Sequence, residues 1–185
     1  MPRNADTKNG YGWVSIALHW ATVAIILPMW TIGRMAKGVG GANDPALLHL
    51  HTTIGMSAYA LLWARIIWRF TVGHPGPLPR QGIFLFAFAK YFHFCLLIAI
   101  GVMLLSGPLS IWTDGKAIEV FWLSIPSQIP TNAALHDLLR GIHRFTSTLI
   151  LLAVSLHVLA VFKHLILNRD GTFDKIMIAS RVRQE

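Results

Sequence analysis

Four histidines stand inside or at the edges of long apolar stretches: His19, His51, His143 and His157. An imidazole in a membrane-length apolar run is costly and marks a functional site by default. The chemistry open to it is metal ligation, proton transfer or hydrogen bonding. His143 and His157 are fourteen residues apart. That is close to four helical turns, so the two share one helix face and lie roughly 21 Å apart along its axis. Two sites stacked along one helix, each completed by a histidine from another helix, suit two haems gripped from both sides by imidazole. Iron held in this six-coordinate way favours electron transfer over binding of oxygen or substrate.

The elements that must position these residues follow from composition. The chain has 185 residues, 54% hydrophobic and 13% charged, with a mean hydropathy of +0.54. A soluble domain carries about 25% charged residues. The expected architecture is an all-α membrane protein, a four-helix transmembrane bundle, with spans at 13–34, 47–70, 83–106 and 132–167. Each supplies the ~20 residues that cross ~30 Å of hydrocarbon. Pro28 is expected to kink the first span rather than end it. Gly38, Gly40 and Gly41 form a turn after it, residues 74–79 make a proline-rich connector, and Gly107 with Pro108 stop the third span. Residues 13–170 thus form one dihaem domain between a polar tail, 1–12, and a basic tail, 171–185. The first apolar run is too long for a signal peptide and no cleavage site is evident.

The lone Cys95 excludes an internal disulfide, a four-cysteine iron–sulfur site and covalent C-x-x-C-H haem attachment. No tight cluster of ligands suggests zinc. The net charge of +8 sits at the ends of the apolar runs, which speaks for orientation in a membrane and against nucleic acid. One side carries Arg3, Lys8, Arg65, Arg69, Arg80, Lys163, Arg169, Lys175, Arg181 and Arg183; the other carries Arg34, Lys37, Lys116, Arg140 and Arg144. The excess places both termini in the cytoplasm.

Direction then tests the haem idea. His19 lies roughly 9 Å into the first span from the inside, and His157 roughly 15 Å from the cytoplasmic end of the fourth. His51 and His143 both lie in the outer half. The pairs are therefore His19 with His157 and His51 with His143. His49 competes with His51 but faces another side of the helix. His51 is preferred because Gly55, one turn on, leaves room for a flat macrocycle; Ser147 and Ala153 do the same beside His143 and His157. Arg34, Arg140 and Arg144 suit outer propionates, and Arg65, Arg69 and Lys163 suit either inner ones or an ordinary role as snorkelling and orientation charges. His93 has no depth-matched partner and reads as structural or quinone-adjacent. His136 reads as an outer-surface residue and His74 as a loop residue. The aromatic stretch 117–124 is expected at the membrane interface or over the outer site.

These residues resemble the bacterial cytochrome b561 family. The likeness is carried by Ala17-Leu18-His19-Trp20, His51-Thr52-Thr53-Ile54-Gly55, Arg65-Ile66-Ile67-Trp68-Arg69, Ile142-His143 and Leu156-His157, and it spans about residues 11–170. The resemblance implies two b-type haems with bis-histidine ligation by His19, His51, His143 and His157, and electron exchange with ubiquinone in the bacterial inner membrane. Length and the lack of an extra domain resemble the superoxide oxidase branch, which implies superoxide as an outer donor. The cations of the outer loops nearly cancel against Asp44, Asp114, Glu119 and Asp137, so only a local cluster would steer that anion. The alternative is a haem-bearing membrane-anchor subunit of a larger dehydrogenase or hydrogenase complex, fed by a docked partner.

Overall fold

The computed structural model describes residues 6–7, 10–37, 44–77 and 82–178. The glycine turn at 38–41 and the cations Arg3, Lys8, Arg80, Arg181 and Arg183 lie outside the described residues.

The first helix, α1, runs Trp13–Met35 and carries Pro28 inside it. The next two are α2, Pro45–Ser57, and α3, Tyr59–Val72. Asp44 starts α2: its carboxylate accepts from the Ala46 and Leu47 amides at 2.9 and 3.1 Å. Pro45 fits the first helical position because its missing N–H would be unpaired there anyway. The single span expected over 47–70 is thus interrupted at Ala58 (φ −85°, ψ −7°). Ser57 Oγ donates to the Thr53 carbonyl at 2.7 Å, the back-bond one turn away that bends helices. Hydrogen bonding nonetheless continues through Ala58, whose amide reaches Ile54 O and whose carbonyl accepts from Leu62 N, both at 3.0 Å.

The expected stop at Gly107 and Pro108 is overturned. Helix α4 runs Ile83–Thr113 and contains Pro108. A proline removes one amide donor and crowds the carbonyl four residues back, yet α4 runs on past Pro108 to Thr113. Ser110 Oγ donates to Gly107 O at 2.7 Å, and Thr113 Oγ1 to Leu109 O at 2.8 Å. The turn comes instead at Asp114–Gly115, where Gly115 has φ +74°. A short hairpin follows, β1 (Ile118–Val120) paired antiparallel with β2 (Leu123–Ile125). The helix α5 spans Ala133–Phe162, capped by Asn132 Oδ1 accepting from Leu135 N at 3.0 Å. It continues as a π-helical stretch, Lys163–Asn168, that ends at Arg169 (φ +48°). A single turn, α6 (Asp174–Met177), closes the described chain.

Three of these helices are long and apolar enough to cross a membrane: Trp13–Met35, Ile83–Thr113 and Ala133–Asn168. The packing is that of a membrane protein. A small apolar core joins Ala58, Leu62, Ile66, Leu97, Ile100, Leu104 and Ile150. Hydroxyl residues Ser15, Thr22, Thr53, Ser106 and Thr146 are buried, whereas Phe84 and Leu167 are 88% and 74% exposed. Small hydroxyl side chains let helices approach closely, while large apolar ones face lipid. At one end of the bundle the first residues, the connector after α3 and the last segment meet. Arg69 pairs with Asp6 at 2.8 Å, Trp20 Nε1 donates to Ile176 O at 3.3 Å, and Lys175 Nζ donates to Gly76 O at 3.1 Å. The hairpin and the α4–α5 connection occupy the other end, where Asn132 N donates to Thr113 O at 2.9 Å.

Candidate functional site

Two histidine pairs face one another across the bundle. His51 of α2 and His143 of α5 have ring centres 6.3 Å apart, and His19 of α1 and His157 of α5 have centres 6.4 Å apart. All four are half-buried. Two metal–imidazole bonds of about 2 Å each, plus the half-width of each ring, set centres roughly 6 Å apart. Both pairs therefore have the separation that one iron between them demands.

The pair His51–His143 opens on a cavity of about 400 Å³ lined by Trp30, Gly33, Gly55, Gly107 and Ser147 as well as both histidines. Its hydrogen bonds orient the rings. His51 Nδ1 lies 3.1 Å from Met29 O. A carbonyl only accepts, so Nδ1 carries the proton and Nε2 keeps its lone pair for a metal. His143 Nδ1 lies 3.2 Å from Ser106 Oγ, whose own hydrogen goes to Met103 O at 3.4 Å. Here too Nδ1 donates. Metal-bound histidines characteristically give their second N–H to such an oxygen.

Glycine supplies the closeness. A Cβ at Gly33 would stand 2.9 Å from His51 Cε1, and one at Gly107 would stand 3.1 Å from His143 Cε1. Neither glycine was legible as a site residue from sequence, because its meaning depends on a ring from another helix. Gly55, expected to make room beneath His51, instead meets α1: its Cβ would stand 3.0 Å from Met29 Cε. It still lines the cavity. Arg144 lines it too, together with Arg34, Lys37 and Arg140. All four side chains are exposed at the mouth, so carboxylate groups of a bound macrocycle have cations within reach. His49 is exposed and outside this lining.

The pair His19–His157 has a different setting. Arg65 Nη2 lies 3.2 Å from His19 Nδ1, and among the described residues Arg65 Nε has no hydrogen-bond partner. His93, expected to stand alone, has its ring centre 5.1 Å from that of His157 and 6.4 Å from that of His74. At 5.1 Å, His93 and His157 are too close to share one iron, so His93 flanks the pair rather than completing it. Below, burial lowers the basicity of His74, and Arg69 and Lys90 lower it further. Burial raises the Tyr11 hydroxyl against the pull of Arg69, whose guanidinium lies 5.1 Å from its ring. His136, expected at the surface, donates from Nδ1 to Ser110 O at 2.7 Å and ties α5 to α4. His164 sits 2.6 Å from Asp170.

Known proteins give this geometry its context. The family described as prokaryotic cytochrome b561 matches residues 10–178, nearly the whole chain. The chain belongs to that family. It is accordingly a membrane electron-transfer protein that binds b-type haem. It is 26% identical over 175 residues to cytochrome b561 homolog 2 of Escherichia coli (strain K12), covering 93% of each chain. It is 20% identical over 171 residues to the probable superoxide oxidase CybB of Yersinia pestis, covering 92% of this chain and 97% of that one. The residues present fit the group the family binds: two ring pairs at iron-spanning distance, glycine-lined clearance at His51 and His143, and cations at the cavity mouth.

Proposed function

We propose that this cytochrome carries two b-type haems, the outer held by His51 and His143 and the inner by His19 and His157. It passes electrons from an outer donor to ubiquinone. The observation that carries the reading is the pair of ring separations, 6.3 and 6.4 Å, on opposite stretches of one helix. Haem would supply one-electron exchange when bound, and the four histidines would hold it. The protein's part is to hold four rings, keep Nδ1 of His51 and His143 as donors, and exclude water from the bundle. Arg34, Lys37, Arg140 and Arg144 would meet outer propionates and leave a positive rim that attracts a small anion. Superoxide is such an anion, and its proposal as donor is supported by the relative named a probable superoxide oxidase. His93, beside the inner pair, is positioned to donate to a quinone carbonyl.

In this reading α2 and α3 together make a fourth crossing. Bonding through Ala58 supports it, as does the convergence of both chain ends and the α3–α4 connector at one end of the bundle. The charge bias then puts that end in the cytoplasm, with 13–170 as the membrane domain between cytoplasmic tails 1–12 and 171–185, in the bacterial inner membrane.

The test is a haem-to-protein ratio with a reduced-minus-oxidised spectrum of the purified protein. Two haems per chain are expected, with His143→Ala losing one and His157→Ala the spectrally distinct other. A ratio of one, or a ratio untouched by either substitution, refutes the assignment. Superoxide as donor requires quinone reduction above the uncatalysed background, slowed by added salt.

A further inference from the structure

Helix α2 has 13 residues, and Thr53 is the one that is buried. Thr53 follows His51 by two positions, about 200° around the helix, so it stands on the side of α2 away from the His51–His143 pair. The hairpin bears on that side. Its first strand packs against α2 and α4, and Phe121 N donates to Thr53 Oγ1 at 3.4 Å. Along β1, Ile118 and Val120 share one face and Glu119 takes the other. Ile118 is 1% exposed, the largest fully buried side chain among the described residues. Glu119 is exposed and accepts from Ser124 Oγ at 2.7 Å. A hairpin of two three-residue strands is marginal at best on its own, so its seat on α2 and α4 is what holds it. On the opposite side α2 meets α1, where His51 Nδ1 lies 3.1 Å from Met29 O and Gly55 backs onto Met29 Cε. The ligand-bearing helix is thus held between α1 in front and the hairpin behind.

We propose that the hairpin is a backstop for α2, with Ile118 and Thr53 as positioning residues that set the His51 ring against His143. This rests on the dihaem reading and adds to it two residues outside the cavity lining that fix one ligand. Neither touches the reacting atoms; both act through the backbone of α2. A metal–ligand distance tolerates only about 0.2 Å, so a small retreat of α2 is enough to loosen the bond. The effect is local to one haem, because the hairpin packs on α2 and α4 and neither carries His19 or His157. The ring planes of His51 and His143 stand at 83°, and those of His19 and His157 at 63°. The magnetic-resonance signal of a low-spin ferric haem between two imidazoles moves with the angle between their planes, so each pair reports its own geometry.

Electron paramagnetic resonance of the oxidised, purified protein tests this, together with the rate at which each haem is lost to excess apomyoglobin. The two haems are assigned by the His143→Ala and His157→Ala spectra. Ile118→Ala removes the seat, and Thr53→Val keeps the side chain's shape but removes its oxygen. Each should shift the signal of the haem between His51 and His143 and speed its loss, by about tenfold in Ile118→Ala, the low end for a disturbed ligand support. The other haem should keep its signal and rate. Thr53→Ser, which restores an oxygen, should return both readouts toward wild type. Trp122→Ser, at the exposed tip, should change neither. A hairpin with a merely structural role would, when loosened, speed loss of both haems alike and move neither signal. That result, or an unmoved signal in either Ile118→Ala or Thr53→Val, overturns the inference while both haems remain. If Ile118→Ala does not fold, the Thr53 proteins decide: a signal shifted in the valine protein and not in the serine one supports it, and equal signals overturn it. A wild-type protein with no haem between His51 and His143 overturns this proposal and the dihaem reading together.

Discussion

Gly33 is the sharpest point at which the geometry can be broken. A methyl group there would stand 2.9 Å from His51 Cε1 and 3.0 Å from His51 Nδ1. Ordinary contact begins at 3.4 Å, so the ring must move by about 0.5 Å. It cannot rotate freely, because Nδ1 is tied to Met29 O at 3.1 Å. A metal–ligand distance tolerates only about 0.2 Å. Gly33→Ala should therefore weaken the outer haem by 10–100-fold, the usual effect of disturbing a ligand's support, or about 1.4–2.8 kcal/mol. The helix itself should gain, since alanine is favoured over glycine within a helix by about 1 kcal/mol. The two effects have opposite signs and separate cleanly. Haem titration followed by the reduced spectrum should show loss of the outer haem first, while the haem-free protein melts no lower than wild type. Gly101→Ala is the control, because its nearest neighbour, Ile66 Cδ1, is 3.8 Å away. Full outer-haem occupancy with an unaltered spectrum in Gly33→Ala would refute the argument.

Gly107→Ala should give a milder loss of the same haem, since its contact with His143 Cε1 is 3.1 Å, and the same titration measures it. Asp6→Ala should strand Arg69, whose pair side chains are 14% and 4% exposed. Breaking one partner of a buried pair costs about 3–5 kcal/mol, visible as a lower midpoint in thermal or detergent unfolding. At the C-terminal segment, burial works to raise the Asp170 carboxyl, but hydrogen bonds from Thr172 and His164 hold it well below the usual carboxylate range. A depressed carboxylate stabilises fully above the unfolded value of about 3.9 and loses that contribution as pH falls through the folded one. Hydrogen exchange of residues 164–172 should rise as pH drops below about 4, and Asp170→Asn should abolish that dependence. Trp122 is 93% exposed at the hairpin tip. Quenching of its fluorescence by brominated lipid is expected if it anchors at the interface, and Trp122→Ser should leave both haems bound.

The four ring positions were legible because an imidazole in an apolar run has few reasons to be there, and because helical rise converts sequence separation into depth. The pairing needed only chain direction. What failed was local. Gly107-Pro108 reads as a stop when only the local backbone is considered, but α4 continues past it to Thr113, as helices in long apolar runs tolerate proline. The hairpin 118–125 lacks a strong turn signature; Phe121 at its tip takes φ +52° with no glycine to mark it. The interruption at Ala58 has no glycine or proline beside it to mark it. The expected isolation of His93 failed for a different reason. Depth along one helix says nothing of rotation, and rotation is what brings its ring to His157. Arg65 was visible as a cation, but its contact with His19 joins residues 46 apart in sequence.

Both His143 and His157 ride on one unbroken rod, Ala133–Phe162. That rod is a ruler. Each residue inserted or removed between the two histidines turns one end about 100° against the other. A single-residue length change there would swing one imidazole out of line while leaving its neighbours' chemistry intact. If both histidines hold haem, the thirteen residues between them fix the register of both pairs at once.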